Sequence, residues 1–389
     1  MTEPLRVGLI GTGMMGIEHI LNLLLSPDIR IVALSDPTPS SLAWARLALG
    51  QELPAGSAAP AVVRAILDRR RRMGVTGPAP EAAFYADAAA MLRETKLDAV
   101  IISSPNHTHR DVIEPLLGRD LHILCEKPLC SDLADAHRIA RLAERHPGVF
   151  WVGMEYRYMP AVTTFVEDVR AGAVGRLVML SLREHRFPFL PKVGDWNRFS
   201  RNTGGTMVEK CCHFFDLMRL VVGSEAVRVY CSGAMDVNHL DERYGGERPD
   251  IIDNSYTIVD FADGKRAMLD LSMFAEGAET QEELTAVGDK ARLDVAMPEG
   301  ELVLSPRVPW GTLKQPQRRL IPVDPAIEAA GSHNGATYFQ HRAFIDAIRQ
   351  GKPPEVSALD GLRAVEIGAA AELSAREKRA VDIEELRRR

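Results

Sequence analysis

The stretch Leu5-Arg6-Val7-Gly8-Leu9-Ile10-Gly11-Thr12-Gly13-Met14-Met15-Gly16 decides how the rest of the chain is read. Its first half is a nearly unbroken apolar run, of the length expected for a strand covered on both faces. Its second half spaces three glycines as G-x-G-x-x-G, and residues 17–25 continue with helical periodicity. In that order the first glycine permits a tight turn and the second lets the backbone approach a pyrophosphate. The third lets the helix pack closely on the sheet, and the helix N-terminus faces the phosphate charge. Gly11, Thr12, Gly13, Met14, Met15 and Gly16 are therefore the expected cradle for a dinucleotide pyrophosphate.

Outward from this loop, the next strand candidate, 30–35, leads into Asp36, which stands 20 residues beyond Gly16. A carboxylate at that distance suits the ribose hydroxyls. It would also repel an additional phosphate, and Pro37-Thr38-Pro39 brings no arginine to receive one, so NAD is expected in preference to NADP. Further strand candidates are 97–103, 121–125 and 149–153, with amphipathic stretches at 111–117 and 132–145 between them. This alternation predicts an α/β domain with a doubly wound parallel sheet of the Rossmann type, whose ligands bind at the carboxyl ends of strands. Two such ends, Ser104-Pro105-Asn106 with His109 and Glu126-Lys127, are expected to face the nicotinamide half of the cofactor. Residues 51–82 read as an insertion with one extra helix ending in Arg69-Arg70-Arg71-Arg72.

Beyond about residue 155 the pattern changes. Strand candidates 174–185, 226–233, 255–261, 267–274, 282–288 and 292–295 meet through Ala262-Asp263-Gly264, Gly288-Asp289-Lys290 and Pro298-Glu299-Gly300. Such tight turns join antiparallel neighbours. With helices expected at 161–171, 207–222, 337–349 and 359–378, this half predicts a C-terminal α+β domain with an open, mainly antiparallel sheet. The division is a dinucleotide-binding domain at 1–154 and a substrate-binding and oligomerisation domain at 155–389, its last helices available to pack back on the first. A sheet with one face free of helices points to a homodimer or homotetramer.

Composition sets the outer limits. A chain of 389 residues is long for one core, and 46% apolar with 26% charged residues is ordinary for a globular protein. The net charge of −6 argues against nucleic acid or an anionic membrane as partner. No run approaches the roughly 18 apolar residues of a membrane span, and no signal peptide precedes Leu5, so a cytoplasmic location is expected. Five cysteines match no disulfide framework, and Cys211-Cys212-His213 lacks the second ligand pair of a structural zinc site, so no metal is expected.

Taken together, the glycine loop, Ser104-Pro105-Asn106 with His109, Glu126-Lys127-Pro128, Tyr156-Arg157-Tyr158 with Pro160, Gly204-Gly205 leading to His213 and Asp216, and Gly351-Lys352-Pro353-Pro354 through Gly361 resemble the Gfo/Idh/MocA oxidoreductases. The resemblance runs over nearly the whole chain. It implies oxidation of a secondary alcohol, often on a sugar or cyclitol ring, with hydride passing to the nicotinamide. It implies that Lys127 is the active-site lysine and His213 the proton acceptor, and that Glu155, Tyr156 and Arg157 line the substrate pocket. The chain departs from the family pattern at Glu209, where aspartate is usual, and at Cys211, where glycine is frequent.

Chemistry of the residues agrees with those roles. A histidine titrates near working pH and suits proton removal, while a lysine ammonium stabilises a developing alkoxide. On a continuous helix Glu209 and His213 share a face, so the carboxylate would orient the imidazole. Trp196 and Arg198 suit a pocket rim, the indole stacking on a sugar and the guanidinium bonding its hydroxyls. Two other functions fit the same pattern: a glycosidase that retains NAD and cleaves by transient oxidation and elimination, and a dinucleotide-binding sensor without catalysis.

Overall fold

The opening apolar run is strand β1 (Leu5–Ile10), followed by helix α1 (Met14–Leu23). The computed structural model describes residues 3–53, 60–75 and 79–388. After β2 (Ile29–Ser35) and α2 (Pro39–Leu49), the expected insertion carries one helix, α3 (Pro60–Met73), which packs on α2. The rest of that insertion at 54–59 and 76–78 lies outside the described residues. Next come β3 (Ala83–Tyr85), α4 (Ala88–Glu94), β4 (Ala99–Ile102), α5 (His109–Ile113), β5 (His122–Glu126), α6 (Leu133–Ala143) and β6 (Phe150–Gly153).

The six strands form one parallel sheet in the order β3-β2-β1-β4-β5-β6. The chain runs outward from β1 to β3, then returns to start again at β4 beside β1. The carboxyl ends of β1 and β4 thus flank the point where winding reverses, which is where such sheets open a crevice. Every residue of β4 and of β6 is buried, which explains their continuous apolar character. Strand β3 was not expected: three residues pairing with the end of β2 are too few to show any alternation. The amphipathic stretch expected at 111–117 forms earlier, as α5 and a following 3₁₀ turn, Glu114–Leu116, that contains Pro115.

The second half holds α7 (Pro160–Arg170), β7 (Leu177–His185), α8 (Ser200–Thr203), α9 (Thr206–Glu209) and α10 (Cys212–Val222). Strands β8 (Ala226–Ala234), β9 (Asn254–Phe261), β10 (Arg266–Ser272), β11 (Glu282–Gly288), β12 (Ala291–Met297), β13 (Glu301–Pro306) and β14 (Gln317–Leu320) follow. Then come α11 (Pro325–Ala330), α12 (Ala336–Gln350), α13 (Ala358–Glu377), β15 (Val381–Asp382) and α14 (Ile383–Arg387). The second sheet has nine strands in the order β14-β13-β12-β11-β7-β10-β9-β8-β15. Only β7 and β10 pair in parallel; the other neighbours are antiparallel. The three predicted turns make the β9–β10, β11–β12 and β12–β13 hairpins, with Gly264 and Gly300 in the left-handed region.

Strands β13, β14 and β15 go beyond the six expected. All four residues of β14 are exposed and β15 has two residues, so neither shows an apolar pattern. The single helix expected at 207–222 is two. Cys211 N–H donates to Thr206 O across five residues, and the regular ladder resumes with Phe215 N–H on Cys211 O. This widened turn separates α9 from α10.

The chain forms two units: Met1–Cys130, Ala134–Tyr158 and Val323–Gly361 in one, and Ser131–Leu133, Met159–Pro322 and Leu362–Arg389 in the other. In the first, α12 packs on α1. All five cysteines are buried. Among the described residues no helix is long and apolar enough to cross a membrane.

Candidate functional site

In the first unit the three glycines of the loop divide their duties as their spacing suggests. Gly11 has φ +92°, and a Cβ there would lie 2.6 Å from the Ser103 carbonyl carbon; one on Gly16 would lie 2.4 Å from Gly11 O. A Cβ on Gly13 would meet nothing within 4 Å. Protein packing therefore demands the first and third glycines, while the second faces open space at the start of α1. Gly13 is also the N-cap of that helix and offers no side-chain cap to its first N–H groups, which suits an anionic pyrophosphate. Beside the loop, the buried Asp36 accepts hydrogen bonds from Thr12 N–H at Oδ2 and Thr38 N–H at Oδ1, both at 2.8 Å. These aim the carboxylate and leave it lone pairs for hydroxyls. The set fits a dinucleotide.

The next strand ends close around the same crevice. Ser103 Oγ donates to Gly11 O at 2.8 Å, tying the two loops. Ser104 and Pro105 are half-buried, and Asn106 is buried with its Nδ2 donor unpartnered among the described residues. His109 is fully buried, with Nδ1 2.8 Å from Pro128 O and Nε2 3.1 Å from Ser104 O. Burial pushes its pKa down, so the ring ties one loop to the other rather than titrating. Glu126 is buried, its Oε1 3.1 Å from His19 Nε2 and its Oε2 accepting Lys127 N–H at 3.3 Å. The Lys127 side chain is half-buried at the carboxyl end of β5.

Three residues expected to line a substrate pocket are woven into the same unit. Glu155 Oε1 lies 3.0 Å from His333 Nδ1, and its Oε2 accepts from Thr337 Oγ1 at 2.6 Å. Burial opposes ionisation of Glu155, but His333 and Thr337 outweigh it and bring the carboxyl down to about 2. Tyr156 is buried with its ring 4.8 Å from that of His333. Arg157 donates to Glu355 O at 3.0 Å and pairs with Asp360 at 3.6 Å. Glu18, Glu155 and His333 place possible metal-ligand atoms within 4.8 Å of one another. Sequence spacing could not reveal this group, whose members are separated by most of the chain. Both carboxylates already accept donors: Glu18 Oε1 takes Ser332 N–H at 3.0 Å.

In the second unit Glu209 closes α9 and His213 lies in the first turn of α10, both buried. The widened turn between them removes the argument from a shared helical face. The Glu209 carboxylate instead meets Lys192 Nζ at 3.0 Å, and that ammonium also sits 4.5 Å over the half-buried Trp196 ring. Arg198 is buried and committed to Glu242 at 2.9 Å, where His239 and Tyr244 also bond. Burial opposes ionisation of Glu242, yet those three partners hold its carboxyl down at about 2. Asp216 is buried on α10. Sequence reasoning missed Lys192, Lys210 and Glu184. Buried Lys210 meets Glu184 Oε1 at 2.8 Å, and burial pulls its ammonium's pKa down. No local motif marks this pair, because β7 supplies the acid and the turn after α9 the base.

Comparison with known proteins gives the following. The NAD-binding Rossmann fold of an oxidoreductase family matches residues 5–154, and the C-terminal alpha/beta domain of the same family matches 166–383. A myo-inositol 2-dehydrogenase of Thermotoga maritima is 26% identical over 383 residues, spanning 98% of this chain and 99% of the relative. A scyllo-inositol 2-dehydrogenase (NAD(+)) of Bacillus subtilis is 23% identical and spans 95% of this chain and 94% of its own length. Among solved structures, levoglucosan dehydrogenase in complex with NADH and levoglucosan shares the fold, with a TM-score of 0.77 and 19% identity over 98% of this chain and 100% of that one.

Proposed function

The chain belongs to the Gfo/Idh/MocA oxidoreductase family, and from that premise we propose that it transfers hydride between NAD and a secondary alcohol of a sugar, cyclitol or related polyol. The observation that carries this reading is the placement of Lys127. It follows the buried Glu126 at the carboxyl end of β5, one strand from the point of reversed winding where Gly13 leaves room for pyrophosphate. Two relatives of nearly full-length match are named inositol dehydrogenases, which supports a polyol as substrate.

In the proposed division of labour the first unit holds the dinucleotide. The glycine loop and α1 bind pyrophosphate, Asp36 takes the ribose hydroxyls, and 104–106 with 126–127 border the nicotinamide. Asp36 favours NAD over NADP by repelling a further phosphate. When bound, the nicotinamide supplies the hydride acceptor. Lys127 bonds the substrate hydroxyl oxygen and offsets the charge that develops there. His213 removes the hydroxyl proton as the C–H electron pair departs, leaving a carbonyl. Glu209, itself held by Lys192, is a positioning residue of the second unit, with Trp196 as an apolar plate for a ring face. Glu155, Tyr156 and Arg157 act as a frame within the first unit more than as direct contacts, since Glu155 engages His333 and Thr337, the Tyr156 ring lies against His333, and Arg157 engages Glu355 and Asp360.

The test is incubation of the protein with NAD and a panel of monosaccharides, cyclitols and aryl glycosides while reduced-nicotinamide absorbance is followed. Net reduction with a cyclitol or sugar is expected. The His213→Ala variant should lose about 10²- to 10⁴-fold in turnover, the range of a positioned general base, with NAD affinity nearly unchanged. Aglycone release without net reduction would select the glycosidase, and cofactor binding with no turnover of any compound would select the sensor.

A further inference from the structure

Helix α1 carries His19, helix α12 carries His341, and β5 ends on Glu126; the three are 0%, 1% and 4% exposed. They form a chain of contacts inside the first unit. His341 Nε2 lies 2.9 Å from His19 Nδ1, and His19 Nε2 lies 3.1 Å from Glu126 Oε1.

The two ends of this chain determine where its protons sit. Glu126 Oε1 is a carboxylate oxygen and accepts, so His19 Nε2 carries a proton. At the other end His341 Nδ1 has no hydrogen-bonding partner among the described residues. A bare buried acceptor is tolerated better than a bare buried N–H, and burial pushes the His341 pKa well below its ordinary value. The His341 proton is therefore on Nε2 and donated to His19 Nδ1. With that proton placed, the hydrogen bonds run one way, from His341 through His19 to Glu126.

We propose that His341 is a positioning residue: its Nε2–H locks His19 in the Nε2–H tautomer, so that Glu126 stays an ionised acceptor directly behind Lys127. Protonating His19 would require its Nδ1–H to donate to His341, which would then hold an orphaned Nδ1–H. The relay thus prevents His19 from neutralising Glu126 as an imidazolium. The carboxylate's second oxygen accepts the Lys127 backbone N–H at 3.3 Å, so its charge and geometry act on the strand end that presents the lysine. The other charged groups around the rings are paired: Glu155 with His333 at 3.0 Å, and Glu18 with Arg69 at 3.7 Å. The role of this device in turnover rests on the proposed function; the tautomers do not.

The experiment is nitrogen-15 NMR of the full-length protein labelled in its histidine rings, without cofactor or substrate, with assignments from His19→Gln and His341→Gln. His19 is expected as the neutral Nε2–H tautomer, without titrating from about pH 6 to about pH 8. In His341→Leu the lock is gone: His19 should titrate within that window, and the acid limb of the turnover pH profile should move upward. Turnover should fall about tenfold, with NAD affinity retained. His341→Gln keeps a donor in the same place and should restore both spectrum and profile; His341→Phe serves in place of His341→Leu if the latter does not fold. A wild-type His19 that is charged or in the Nδ1–H form, or a His341→Leu protein whose His19 still does not titrate, would overturn the proposal. Absence of polyol turnover in the wild type would instead sink the proposed function and leave the spectroscopic result standing.

Discussion

Asp36 combines two demands in one side chain. Its oxygens receive Thr12 N–H and Thr38 N–H, which closes the glycine loop, and under the proposed function the same carboxylate takes the ribose hydroxyls. Hydrogen bonds to a charged group contribute about 1.5–3 kcal/mol each. Asp36→Ala is therefore expected to weaken NAD binding by about tenfold or more while narrowing the preference over NADP, as read by titration of both cofactors. Tighter binding of NADP than NAD by the unmodified protein would refute the assignment. The positions of Asp36 and Lys127 at strand ends were legible in sequence because apolar runs and glycine spacing index them. Glu155 and Arg198 were less so. Their types suited a pocket, but His333 and Glu242, each far along the chain, engage them internally.

Among elements, the short helix α9 shows how a distant helix sets local geometry. Its second residue, Met207, donates its N–H to Glu372 Oε1 of α13 at 2.9 Å. Gly205, at φ +89°, makes room: a Cβ there would stand 2.2 Å from the same oxygen. Glu372 borders a cavity of about 530 Å³ with Asp250, and burial, with Asp250 adding like charge, raises its carboxyl from 4.5 to about 7. A carboxyl raised in the fold favours the protonated native state, so its contribution to stability is complete at acid pH and is lost as pH rises through about 7. The melting temperature should accordingly fall between about pH 4.5 and about pH 7 and level off above that, and Glu372→Gln, which can still accept from Met207, should flatten that slope. Equal slopes in the two proteins would refute the assignment. The same region held the error in reading 207–222 as one helix. Apolar periodicity continues through the segment, but Cys211 N–H bonds back to Thr206 O and shifts the register before His213.

For the whole molecule, the second sheet leaves one face to solvent. Tyr230, Ile258 and Met268 stand in register across β8, β9 and β10, with Tyr256 (64% exposed) and Met179 beside them. An apolar row of this kind on an open sheet suits a second copy of the chain. Ile258→Glu is expected to convert an oligomer to monomer in sedimentation while leaving far-UV circular dichroism unchanged; an unmodified protein that sediments as a monomer would refute it. Local pattern was enough for the parallel sheet, the turn-linked antiparallel sheet and the glycine turn between β1 and α1, because each depends on neighbours within a few residues. Tertiary structure alone decided the relay from His341 to Glu126, the pairing of Lys210 with Glu184 and the burial of Glu155. His19 and His341 lie 322 residues apart, and which remote side chain fills the space beside a buried charge is settled only when the helices pack.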